Sequence, residues 1–165
     1  MHKGFLKIGR NRYYLDRTGR RQSGFSRIGG HIYYFKSNGR QLRNGAYRGY
    51  QFNKKGRLTN PPKVGTVDKS SLKASSPGKR QLAVRWKNVK NASGYEINYA
   101  RNTDFTVAAF KDVPKGTRAS LSKLNAKRYY VRVRAYKKLG NAKVYGRFTV
   151  LSKKRNGKPF PVKIK

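Results

Sequence analysis

The sequence predicts an all-β chain of two modules: a short array of β-hairpin repeats, solenoid-like in character, followed by a β-sandwich. Three observations carry that expectation. Glycine and aromatic residues recur every 20 or so positions through the first 60 residues. A proline pair then interrupts the chain, and after it short runs of alternating apolar and polar residues continue to residue 165.

The repeats read as GFLKIGRNRYYLDRTGRRQS from Gly4, GFSRIGGHIYYFKSNGRQLRN from Gly24, and a degenerate GAYRGYQFNKKGRL from Gly45. Each good unit opens on Gly-aromatic, passes through Ile8-Gly9 or Ile28-Gly29, reaches Tyr13-Tyr14 or Tyr33-Tyr34, and closes on Arg17-Thr18-Gly19 or Ser37-Asn38-Gly39. Short aromatic strands punctuated by glycine turns are the pattern of consecutive hairpins. Within each Tyr pair, a ring can either pack the hairpin or stack on a ligand. Asp16, beside its glycine turn, is expected to cap backbone amides, and His31 to be solvated.

At the Gly-aromatic opening, the Tyr-Tyr core and the Asn-Gly turn, residues 4–58 resemble the choline-binding and cell-wall-binding repeat family of Gram-positive surface proteins. The glycan-binding repeats of clostridial toxins are similar. The resemblance implies hairpins stacked in a left-handed solenoid, with ligand pockets of aromatic side chains between them. Phe5, Tyr13, Tyr14, Phe25, Tyr33, Tyr34 and Tyr47 are the ring candidates. Where that family carries Trp, this chain has Phe5 and Phe25 at the opening and Arg12 and Ile32 before the Tyr pair.

Thr59-Asn60-Pro61-Pro62-Lys63 marks the boundary, since paired prolines cannot continue a ladder. The modules are therefore expected at 1–60 and 61–165. Alternation is clear in Leu82-Val84-Trp86, Tyr95-Ile97-Tyr99 and Tyr129-Val131-Val133-Ala135, with Arg85, Glu96, Asn98, Arg132 and Arg134 between them. Such strands are expected to bury one side only. Turn signals fall at Ser76-Pro77-Gly78, Asn91-Ala92-Ser93-Gly94, Pro114-Lys115-Gly116 and Leu139-Gly140-Asn141. Trp86, the run Ala92–Ile97 and Leu124 with Tyr129–Ala135 resemble a bacterial fibronectin type III domain. That resemblance implies Trp86 in the core and a Leu124–Tyr129 corner.

The charge is extreme: 42 Lys and Arg against 5 Asp and Glu, a net +37. Residues 1–60 carry 15 cations and one acid, and residues 61–165 carry 27 and four. A field spread this evenly calls for a polyanionic partner. The first module uses ten Arg to five Lys, and Arg forks suit phosphate or carboxylate. Arg10, Arg12, Arg27, Arg40, Arg43 and Arg48 are its anion-binding candidates, with Arg132 and Arg134 beside Tyr130 in the second. Solvated strand faces, or an engineered supercharged surface, would also produce this composition.

Catalysis is not expected. The chain has no cysteine, its two histidines are His2 and His31, and of its acids Asp104 and Asp112 are near one another in sequence, as Glu96 and Asp104 are at the same spacing. No cofactor, metal or membrane span is expected. Without an apolar leader, the chain is expected to be a processed piece or to reach its place by another route. The expected function is non-enzymatic adhesion at the bacterial surface, through an anionic wall polymer or glycan. The alternatives are nucleic-acid or filament scaffolding, and the targeting part of a wall hydrolase or toxin. Two good repeats and one weak one also predict self-association or a longer modular chain.

Overall fold

The computed structural model describes residues 2–125, 127–152 and 158–165. The chain divides into two compact units, one of residues to Pro62 with Lys138–Val144, the other of Lys63–Lys137 with Tyr145–Lys165.

The first unit is built from three antiparallel hairpins, each a separate two-stranded sheet. They are β1 (Gly4–Ile8) with β2 (Asn11–Leu15), β3 (Gly24–Ile28) with β4 (His31–Phe35), and β5 (Gly45–Tyr47) with β6 (Tyr50–Phe52). The two-residue turns explain the register. Gly29 and Gly30 have φ of 53° and 80°, and Arg48 and Gly49 of 48° and 80°, so both central residues are left-handed, as a primed turn requires. After each hairpin a loop folds back, pairing Leu15 with Arg21, Phe35 with Gln41 and Phe52 with Leu58. The weak third repeat is therefore a complete structural unit.

Side chains close these loops where backbone alone does not. Asp16 Oδ1 accepts from Thr18 N at 2.9 Å, Thr18 Oγ1 at 2.7 Å and Arg20 N at 3.0 Å. Asn53 Oδ1 does the same work in the third repeat, accepting from Lys55 N and Arg57 N, each at 3.0 Å. A backbone hydrogen bond at the same place joins each repeat to the next: Gln41 N donates to the Arg12 carbonyl and Leu58 N to the Ile32 carbonyl. Arg12 and Ile32 hold equivalent places, so the units stack by a regular step.

The second unit contains a three-stranded sheet of β7 (Lys73–Ser75), β8 (Leu82–Arg85) and β11 (Arg118–Leu121), in the order β11-β8-β7. The other sheet orders β10 (Ala109–Val113), β9 (Gly94–Ala100), β12 (Arg128–Leu139) and β13 (Ala142–Tyr145); β14 (Thr149–Val150) and β15 (Val162–Lys163) also pair with β12. Two antiparallel sheets around one core make this a β-sandwich, as the alternation predicts. Leu82, Val84, Ile97, Val131 and Val133 lie at its centre, each at most 2% exposed.

Trp86 is buried and meets Tyr95 edge to face at 5.2 Å. Tyr95 Oη in turn accepts from Val89 N at 2.7 Å and donates to Asn88 Oδ1 at 2.8 Å. Leu124 and Tyr129 are both buried, and Tyr129 Oη donates to Asn125 Oδ1 at 3.0 Å. The corner is thus closed through a side-chain amide.

One expectation is corrected. Strands β9 and β12 do not bury one side only: Asn98 is buried, and Glu96, Arg132 and Arg134 are partly covered. Aromatic residues from outside these two strands, Phe105 and Phe148 on loops and Tyr145 at the end of β13, lie over this face. Arg132 sits 4.0 Å from the Phe148 ring centre and 4.4 Å from Phe105, and Arg134 sits 3.7 Å from Tyr145. Simple alternation could not reveal this, because the covering rings come from outside the strands.

Candidate functional site: ring clefts and a basic depression in the repeats

The aromatic side chains of the first unit repeat in space as they do in sequence. Cross-strand pairing sets Phe5 opposite Tyr14 and Phe25 opposite Tyr34, and both pairs meet edge to face, at 5.0 and 5.1 Å. Between hairpins, Phe5 meets Tyr33 at 5.3 Å and Phe25 meets Tyr50 at 5.3 Å, again edge to face. Tyr14 to Phe35 and Tyr34 to Phe52 repeat at 6.4 and 6.3 Å. Tyr13, Tyr33 and Tyr50 therefore occupy one position of the repeat, and Leu15, Phe35 and Phe52 another.

These positions differ in exposure, and that separates packing from availability. Tyr33, Phe35 and Phe52 are buried. Phe5, Tyr13, Tyr14, Phe25, Tyr34, Tyr47 and Tyr50 keep part of their surface in solvent. At the second junction Tyr47 stacks on Tyr34, with ring centres 3.9 Å apart and planes 17° from parallel. Its hydrogen bond to Tyr47 holds the Tyr34 hydroxyl above its ordinary range, with desolvation adding to it and Arg48 opposing. At the first junction the Arg12 guanidinium lies 4.0 Å over Phe5, a cation held on a ring face by the chain itself.

The arginines divide into groups. Arg10, Arg12 and Arg43 come together with Lys36 and Lys54 around one depression floored by Gln41 and Leu42. Arg43 Nη2 donates to the Arg10 carbonyl at 3.0 Å, which fixes its fork there. No Asp or Glu lines this depression, so it offers converging donors to an anion. Arg27 donates from Nη1 to the Lys143 carbonyl at 3.2 Å within the same compact unit. Arg48 lies 5.4 Å from the Tyr47 ring centre. Arg40 is exposed on its loop and does not line the depression.

Arg132 and Arg134 are committed to the sandwich. Arg132 Nε and Nη2 donate to Asn98 Oδ1 at 3.2 and 3.1 Å. Arg134 Nε and Nη2 donate to Glu96 Oε1 at 3.0 and 2.8 Å. Burial pushes the Arg132 guanidinium below its ordinary range, and neighbouring Arg134 adds to that while Glu96 opposes it. Asp112 lies opposite Glu96 in register, so the sheet places a second acid near Arg134. Sequence proximity paired Asp112 with Asp104 instead, whose Oδ1 accepts from Thr106.

Sequence reasoning missed Tyr50 and the lysines Lys36 and Lys54. Gln51 breaks the Tyr-Tyr signature in the third repeat, which hides Tyr50; aligning the repeats on the Gly29-Gly30 and Arg48-Gly49 turns would have recovered it.

Comparison with known proteins bears on the first module most directly. Residues 23–40 match the cell wall binding repeat of the choline-binding type. Among curated proteins none matches the chain. Choline binding protein F from Streptococcus pneumoniae is 30% identical over 36% of this chain and 20% of its own, with a TM-score of 0.36; it is also known in the presence of a peptidoglycan analogue. The chain thus spans about a fifth of that protein. The choline binding domain of another Streptococcus pneumoniae protein is 26% identical over 36% of this chain and 74% of its own, TM-score 0.36. The FN1–FN3 domains of chicken CNTN1 align over 99% of this chain and 64% of their own, at 15% identity and TM-score 0.47. The chain is therefore similar to cell-wall-binding repeats over residues 23–40.

Proposed function

We propose that the chain is a non-enzymatic adhesion module of a bacterial cell surface, which holds an anionic wall polymer or glycan on its repeats. The observation that carries this reading is the recurrence of half-buried rings at the hairpin junctions in a unit that also gathers Arg10, Arg12 and Arg43 in an acid-free cluster, with Arg12 over the Phe5 ring. Phe25, Tyr34, Tyr47 and Tyr50 supply apolar faces for sugar rings or alkyl groups. The arginines pair with phosphate or carboxylate oxygens along the same polymer. The match of residues 23–40 to a cell wall binding repeat supports the wall as the source.

Division of labour between rings and charges makes the proposal testable. Tyr33 is 6% exposed, so replacing it would probe packing; Tyr34 and Tyr47 are the better probes. Sedimentation with purified Gram-positive walls, with and without their anionic polymers, is measured across a salt series beside duplex DNA. Retention on walls at salt that releases DNA is expected, together with its loss in Tyr34→Ala/Tyr47→Ala. Release from both at the same salt would replace adhesion with unselective polyanion binding.

A further inference from the structure

The outward face of the three-stranded sheet carries cations in one cross-strand row. Lys73 lies directly opposite Arg85, and Arg118 lies opposite Arg85 from the other side. All three are exposed. Adjacent strands are about 4.8 Å apart, so three positive side chains leave the sheet side by side at that spacing. Like charges directly opposite one another destabilise a sheet. Elsewhere this protein compensates such groups: Arg134 has Glu96, and Arg132 has Asn98. Among the described residues, no hydrogen bond or ion pair involves the side chains of Lys73, Arg85 or Arg118. The carboxylate nearest in effect is Asp68, whose oxygens already accept from Ser70; those hydrogen bonds chiefly hold it below its ordinary range, with Lys87 and Lys73 adding smaller pulls.

The next row of the same face is small. Ser75, Ala83 and Ser120 stand in mutual register and line one surface depression with the three cations. Small side chains let the backbone of a bound polymer come close to the sheet while the longer cations reach its charges. No aromatic side chain lines the depression, so flat bases have nothing to stack on there. That disfavours single-stranded nucleic acid and favours a chain with its charges on an aliphatic backbone.

We infer that the outward face of β7, β8 and β11 is a second anion site, which takes a polyol-phosphate chain laid across the strands. Lys73, Arg85 and Arg118 pair with successive phosphates, and Ser75, Ala83 and Ser120 form the floor beneath the polyol. The site stands on the geometry of this sheet; the choice of a wall polymer as its source rests on the adhesion reading above.

The test uses the full chain and a poly(glycerol phosphate) oligomer as probe. Lys73→Gln/Arg85→Gln/Arg118→Gln is compared with Lys3→Gln/Lys79→Gln/Lys90→Gln, which removes the same charge from exposed positions away from the row. The row variant is expected to bind about tenfold more weakly with a shallower salt dependence, while its thermal midpoint rises because the like charges are gone. The single variant Arg85→Gln should show both effects at smaller size. Equal weakening in both triple variants would overturn the site, since charge would then act without place. Equal weakening toward oligo-dT and the polyol phosphate would overturn its ligand class. Wall retention by the intact chain, measured in parallel, separates failure of this site from failure of the adhesion reading.

Discussion

At the scale of single residues, a few contacts decide much of the fold. Gly94 is one case: a Cβ there would stand 2.5 Å from Tyr136 Oη and 2.9 Å from the Val113 carbonyl. Backbone cannot yield as a flexible side chain can, so Gly94→Ala is expected to destabilise the sandwich by about 1–3 kcal/mol, read as a lower denaturant midpoint. Glu96→Gln removes the charge that Arg134 faces from a half-covered position. An expected loss of about 2 kcal/mol, allowing for its partial exposure, would appear in the same measurement. Asp16, Asp68 and Asp104 each lie below their ordinary value of 3.8, chiefly through hydrogen bonds from Thr18, Ser70 and Thr106. Their folded forms hold protons less readily than the unfolded chain does. The stability they contribute is therefore present above pH 4 or so and is lost as pH falls through the lower folded values. A thermal midpoint that stays level from pH 7 to 5 and drops below 4 is the expected profile.

At the scale of elements, the hairpin is the unit that the sequence repeats, and its turn sets its register. Arg48 occupies a left-handed position at φ 48°, where a side chain with a Cβ is disfavoured and Asn is tolerated. Arg48→Asn is expected to stabilise the third hairpin by about 0.5–1 kcal/mol, measured as raised protection of β5 and β6 amides from hydrogen exchange. If Arg48 also serves the polymer, the same variant binds walls less well, which separates the turn's chemistry from the charge's. Two-stranded sheets are marginal alone. The regular bonds from Gln41 to Arg12 and from Leu58 to Ile32, with the edge-to-face rings at each junction, are what make three such sheets cohere.

For the whole molecule the dominant quantity is the net charge of +37. Self-repulsion opposes compaction and screening relieves it. Raising sodium chloride from about 0.02 to 0.3 M, over which the Debye length shrinks severalfold, is expected to raise the thermal midpoint. Inorganic polyphosphate should do so at far lower concentration. A midpoint indifferent to both would mean that the cations lie too far apart in space to repel. Self-association, foreseen from the small number of repeats, is expected to appear with a polyanion present and to vanish without it, a contrast that sedimentation velocity resolves.

How far the sequence reached depends on the range of the interaction that carried each feature. Glycine turns, the Tyr pairs, the Asp16 cap and the strand alternation around Trp86 are set within a few residues, and the all-β class followed from them. Tyr50 was within reach of the same local reasoning, had the turns and not the tyrosines been aligned. Register across strands is another matter. That Asp112 faces Glu96, that Arg10, Arg12 and Arg43 gather while Arg27 and Arg40 do not, and that Arg132 and Arg134 are covered by Phe105, Tyr145 and Phe148 all depend on chain segments far apart in sequence. The same holds for the row of Lys73, Arg85 and Arg118. By itself the sequence determined the all-β class, the hairpins and the sign of the chain's own charge, because composition and local periodicity are enough for these. Only the tertiary structure decided which cations are spent on the fold and which stay exposed, because compensation of charge is a matter of distance in space.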